Sequence, residues 1–390
     1  MARADRGRYT DINRRDFSLP DFYRGGLDFS GRDGYPCGRM ADNIDLPTLL
    51  ADVVARGGSD LHLIHGIPPV ARIAGEIGAL PYPAMTSDVI LKILEPYLLD
   101  SHRQTFKAEM RVNFSHTIAD VGRFRFNLYL SLGTVGATIR VIPTKTYPLA
   151  SLGLPPIVGS LAQRRSGIIF VTGSSGSGKS TTMAAMLEWI NQTGRPGKVI
   201  TIEDPIETLF KPCRSIFVQR EVGVDTPSYD IGIMDALRQD PDTLCIGEMR
   251  DANSIRAALL AAETGHLVLT TLHTRDASKT AQRIISAVPN ADQEALREQL
   301  ASTLEAVISL ELIPRADATG LVVACEILIG TPATRQLIRE NKIEALNDAI
   351  QSGAQVGMIS RDTSIKNLYL KKLITREAAA EHVRNPEILR

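Results

Sequence analysis

Gly173-Ser174-Ser175-Gly176-Ser177-Gly178-Lys179-Ser180 has the spacing G-x-x-x-x-G-K-S, that of the phosphate-cradling P-loop. Each residue type in it has a part in holding a nucleoside triphosphate. The glycines let the backbone curl so that successive N–H groups converge on phosphate oxygens. Lys179 brings a positive charge to the β- and γ-phosphates, and the Ser180 hydroxyl, next to Thr181, is a ligand for Mg²⁺. A helix must follow, with its positive end aimed at the same anion. A flexible Gly/Ser-rich turn has a similar composition, but the flanks favour the phosphate loop. Ile168–Val171 is an apolar, β-branched run suited to a buried parallel strand. Met183, Met186, Leu187 and Ile190 follow at helical spacing and stop at Gly194.

Hydrolysis needs a carboxylate near the metal and another to polarise the attacking water. Two acidic clusters follow apolar runs. The first is Val199-Ile200-Thr201-Ile202-Glu203-Asp204-Pro205-Ile206-Glu207, and the second is Thr243-Leu244-Cys245-Ile246-Gly247-Glu248-Met249-Arg250-Asp251. Acidic residues after a strand are often solvated loop charges. Two such clusters downstream of a P-loop, at the strand ends where open α/β sheets bind ligands, point to catalysis. Gly265–Thr274 adds a strand with a histidine at each end. His273, at its carboxyl end, is placed to bond a γ-phosphate and report its loss. For His266 a structural role and a functional one are both open.

The rest of the 390-residue chain must position these groups. That length suits two domains. Hydrophobic residues make up 44% and charged residues 23%, enough for an ordinary core. Lys+Arg and Asp+Glu are each 44, so a large nucleic-acid footprint is not expected. The cysteines, Cys37, Cys213, Cys245 and Cys325, form no C-x-x-C pair, which argues against zinc. No apolar run approaches the roughly eighteen residues that span a bilayer, and the start lacks a signal-peptide core. A cytoplasmic protein, at most peripheral to a membrane, is expected.

Residues 1–39 are rich in Arg, Asp and Gly and poor in aliphatics, and read as disordered or as a non-native extension. Residues 40–145 read as an α+β domain, with helices near 44–56 and 86–107. Its strands are expected at Asp60–Ile64, Pro69–Ile73, Val112–His116, Phe124–Leu130 and Gly136–Ile142, in a mostly antiparallel sheet. Prolines punctuate a linker over 146–156. From 157 to 390 strands and helices alternate, as in an α/β domain with a parallel sheet: strands 167–172, 198–202, 243–247 and 266–271, and helices 180–193, 230–239 and 252–263. More helices and a short strand pair near 310–327 follow.

Together these pieces resemble the ATPases of type II and type IV secretion systems, and among them the type IV pilus retraction ATPases. The resemblance runs from Met40 to the C-terminus. It covers the P-loop 173–181, an Asp box 201–207, a Walker B strand 244–251 and a His box 265–274. It also covers Gly58-Ser59-Asp60-Leu61-His62-Leu63, Gly66-Ile67-Pro68-Pro69 and Gly122-Arg123-Phe124-Arg125-Phe126-Asn127. It implies a RecA-like P-loop NTPase domain preceded by a smaller, PAS-like domain. It implies a homo-hexamer that hydrolyses ATP with Mg²⁺ at the inner face of the cytoplasmic membrane, on a platform protein of the pilus or secretion machine. Glu207 takes the position of the water-activating glutamate, and Glu248 that of the Walker B acid near Mg²⁺. Arg125 and Arg140 take those of arginines that reach a neighbour's nucleotide; on composition alone both are surface residues. Ala333–Glu340 follows the retraction signature except at Thr334 and Gln336. The chain has no four-cysteine insert, as in the retraction type. The same chemistry would serve a conjugation or type IV secretion ATPase that moves DNA or effectors. Without turnover it would serve a nucleotide-binding regulator, against which Lys179, Glu207 and Glu248 all stand.

Overall fold

The computed structural model describes residues 44–144 and 146–389. The expected extension over 1–39, with Cys37, lies outside the described residues. The chain divides into two units between Val141 and Ile142.

In the first unit, β1 (Gly58–Leu63), β2 (Val70–Ile73), β3 (Glu76–Ala79), β4 (Arg111–Ile118), β5 (Gly122–Ser131) and β6 (Thr134–Ile142) form a sheet in the order β3-β2-β1-β6-β5-β4. The β1–β2, β1–β6, β2–β3 and β4–β5 ladders are antiparallel. Alternation decides which face is inside: Phe124, Phe126 and Leu128 of β5 are buried, and Arg123, Arg125 and Asn127 between them are not. The helix Leu46–Ala55 is capped by Asp45, whose carboxylate accepts the Thr48 N–H at 2.7 Å. The helix expected over 86–107 is interrupted. Ser87–Leu94 is helical, Glu95–Tyr97 tightens into a 3₁₀ turn, and a new helix runs over Asp100–Glu109. Pro96 explains the break, because it has no N–H to give the ladder and its ring crowds the preceding turn. Strand β3 had no sequence expectation; Glu76, Ile77 and Gly78 in it are all exposed.

The second unit contains β7 (Gly167–Thr172), β8 (Gly197–Glu203), β9 (Ser215–Glu221), β10 (Thr243–Ile246), β11 (Leu267–Leu272), β12 (Leu304–Pro314) and β13 (Leu321–Ile329). Their order is β13-β12-β7-β11-β10-β8-β9. All the ladders are parallel except β12–β13. Every residue of β7, β10 and β11 is buried, as expected for strands covered by helices on both faces. The strand pair expected near 310–327 is longer than its sequence signal and extends the main sheet. The segment expected as a linker over 146–156 contains a 3₁₀ turn, Leu149–Leu152, whose Leu149 is buried in the second core.

Candidate active site

Parallel pairing brings the functional segments to one edge. Thr172 of β7 lies opposite Leu272 of β11, Ile246 of β10 opposite Thr270, and Ile202 of β8 opposite Ile246. The P-loop, the Asp box, Glu248 and His273 therefore leave the sheet side by side at its carboxyl end, where doubly wound sheets place ligands. They surround a cleft of ≈ 560 Å³ whose lining comes entirely from the second unit.

The loop itself is shaped by its glycines. Gly173 has φ +144° and Gly178 φ +92°, values that L side chains rarely adopt. A Cβ on Gly173 would run into Ser177 Oγ and the Leu310 carbonyl. Ser175, Gly176, Gly178, Lys179, Ser180 and Thr181 line the cleft. Gly173 and Ser174 do not line it, and their carbonyls accept from Lys179 Nζ at 3.0 and 2.8 Å.

Lys179 Nζ also lies 3.4 Å from His273 Nδ1, and His273 Nε2 lies 3.2 Å from Glu248 Oε1. An ammonium can only donate and a carboxylate can only accept. The imidazole that satisfies both contacts carries its proton on Nε2. His273 thus joins the P-loop lysine to Glu248. Burial lowers the Lys179 pKa, and Glu248 and Glu207 pull it back up. The other Glu248 oxygen accepts from Arg250 Nε at 2.8 Å, and Arg250 reaches Asp204 at 3.5 Å. Glu207 is exposed at the cleft, with its N–H on Glu203 Oε2 at 3.4 Å. Glu203 Oε1 accepts from Thr201 Oγ1 at 2.6 Å. Burial raises the Glu203 pKa.

His266 is at the opposite end of β11, with Nδ1 2.9 Å from the Ala261 carbonyl. It does not line the cleft, and this favours its structural reading. Arg125 and Arg140 belong to the first unit, on the face of its sheet turned away from the core. Arg140 Nε donates to the buried Asp60 at 2.8 Å. Arg250, Glu203 and Tyr229 line the cleft without having been singled out from sequence. For Arg250 the signal was its place two residues after Glu248. Tyr229 enters from the helix Tyr229–Ala236 and left no spacing to read.

The residues fit a triphosphate. The helix Lys179–Thr193 starts with no side-chain cap on its first turn, which leaves backbone donors for an anion. Among the described residues, Ser177 Oγ is buried with no hydrogen-bond partner. A hydroxyl and one carboxylate, Ser180 and Glu248, are hard oxygen donors, and there is no cluster of three or more acidic, His or Cys ligands among the described residues. So sparse a set suits Mg²⁺, which keeps most of its waters and binds substrate phosphates.

Residues 124–379 match the family described as type II/IV secretion system protein. The chain is 40% identical to the type IV pilus retraction ATPase PilT of Pseudomonas aeruginosa over 88% of its own length and 99% of that protein. It is 40% identical to the twitching motility protein of Neisseria gonorrhoeae over 82% of its length and 85% of that protein. A crystal structure of the pilus retraction motor PilT with bound ADP superposes with a TM-score of 0.79 at 41% identity, covering 88% of this chain and 98% of that one. The chain belongs to the family of type II/IV secretion system proteins.

Proposed function

We propose that this protein is the ATP-hydrolysing motor of type IV pilus retraction, the movement that underlies twitching motility. The observation that carries this is the bonded series Lys179–His273–Glu248 at the mouth of the P-loop, in a chain 40% identical to PilT over nearly all of PilT's length.

The P-loop N–H groups and Lys179 would hold the phosphates, and Ser180 and Glu248 would hold the metal. Bound Mg²⁺ would neutralise charge developing on the β- and γ-oxygens. Glu207 orients the attacking water from the open side of the cleft. Lys179 has three donors, and all three are spent on Gly173, Ser174 and His273. To engage a phosphate it must exchange at least one of them. The exchange that frees His273 Nδ1 also bears on Glu248, so the imidazole can register whether the γ-phosphate is present. Arg125 and Arg140 complete a neighbour's site in a homo-hexamer, and each turnover shifts the relation between domains against a platform protein at the inner membrane face. No helix among the described residues is long and apolar enough to cross a membrane.

The test is phosphate release by the purified protein with and without Mg²⁺. K179A should abolish it, and E207Q should cut kcat by about 10²–10⁴-fold, the range of a positioned acid–base group. Turnover that survives both substitutions would sink the proposal.

A further inference from the structure

Three residues beyond His273, Asp276 is buried, with 6% of its surface exposed. Its Oδ1 accepts from Arg361 Nη2 and from Arg384 Nη2, and its Oδ2 faces Lys279 Nζ at 3.0 Å. Arg361 begins the helix Arg361–Leu370, and Arg384 follows the helix Arg376–His382. Arg361 Nη2 also donates to the Arg275 carbonyl at 2.6 Å, so one guanidinium holds both the backbone and the side chain of the segment after His273. Glu326 of β13, 3% exposed, accepts the Ala277 N–H at 2.8 Å and lies 3.7 Å from Arg384. Asp362 accepts the Arg384 and Asn385 N–H groups at 2.9 and 3.1 Å, locking the two C-terminal helices into one block.

Apolar side chains would join these helices to the sheet at less desolvation cost than a buried cluster of charges. What the cluster adds is directional placement: Asp276 has one position that satisfies three cations. His273 is three residues from that anchor and itself contacts Lys179 and Glu248. We infer that Arg361 and Arg384 are positioning residues for hydrolysis, acting through the segment 273–276 on His273. The C-terminal helical block is thereby part of the nucleotide site's support. This rests on the reading of the cleft as an ATPase site.

The test is a double-mutant cycle on the full-length protein. R361Q should lower kcat by about fivefold or more while KM for ATP stays within about twofold. H273A should lower kcat alone, and R361Q placed on H273A should cost less than about twofold further, since coupled residues are non-additive. A merely structural role would give independent, multiplying losses. An R361Q kcat within twofold of the parent, or an undiminished loss on H273A, overturns the inference. D276N, for which the same pattern is expected, takes the place of R361Q if that variant does not fold. A parent protein without Mg²⁺-dependent turnover would defeat the ATPase reading instead. The inference would then be judged by NMR of ¹³C-histidine-labelled protein. The His273 ring signals, identified by their loss in H273A, should move in R361Q, and unmoved signals would overturn it.

Discussion

Burial raises the Glu203 pKa and outweighs the hydrogen bonds from Thr201, the Glu207 backbone and Gln219, which pull it down. A carboxyl whose folded pKa lies above its unfolded one contributes most stability when protonated in both states. It loses that contribution as pH climbs through the raised value. E203Q is neutral throughout. The melting temperature of E203Q relative to the parent should therefore rise as pH increases from below the ordinary glutamate value to above the raised one. A constant difference across that window would remove the assigned cause. At Gly173, an added methyl meets Ser177 and the Leu310 carbonyl in a backbone region unsuited to L residues. G173A should cost about 1–3 kcal/mol in denaturant melts and weaken ADP binding measured by calorimetry. The spacing within the P-loop and the acids after each strand were legible because they lie within a few residues of one another. The bond of His273 to Lys179, ninety-four residues apart in sequence, and the clamp on Asp276 arise from pairing between distant strands and helices, and local spacing records neither.

Among the elements, the helix Ala252–Glu263 carries Glu248 and Arg250 just before its start. Its cap is Asp251, which accepts the Ser254 N–H at 2.9 Å in a reciprocal box with the Ser254 hydroxyl. D251A should lower stability by about 1 kcal/mol in urea titration, and kcat should fall with it as the turn holding Glu248 loosens. Element type was most readable where burial is two-sided. Ile168–Val171 and Leu267–Leu269 are continuous apolar runs, and they lie in the central strands β7 and β11. Strand β9 had no such signature. It is an edge strand whose Phe217, Val218, Gln219 and Arg220 are all half-buried, so neither alternation nor a solid apolar run marks it. The helix break at Pro96 was written in the sequence, in a residue that has no N–H to give the ladder.

At the scale of the molecule, each unit has its own core, one around Phe124 and Phe126 and the other around Phe170 and Ile169. Residues 142–390 expressed alone should fold and melt cooperatively by circular dichroism. If Arg125 and Arg140 complete a neighbour's site, specific ATPase activity should rise steeply with protein concentration and be constant in dilution if they do not. Thiol accessibility gives a third check. Cys213 is exposed, whereas Cys245 and Cys325 are buried. Burial pushes the Cys245 thiol well up and the Cys325 thiol to about 11. Iodoacetamide at pH 8 should mark Cys213 and spare the other two until denaturant is added, as read by peptide mass spectrometry. The order β12-β7-β11 also has a consequence for synthesis. The strand that ends in the P-loop is complete at residue 172, yet its two neighbours begin at residues 267 and 304. At about 5–20 residues per second, a nascent chain carries this largely apolar strand without its flanking strands for on the order of ten seconds. Over that interval the segment that will bind the nucleotide is a natural client for a chaperone.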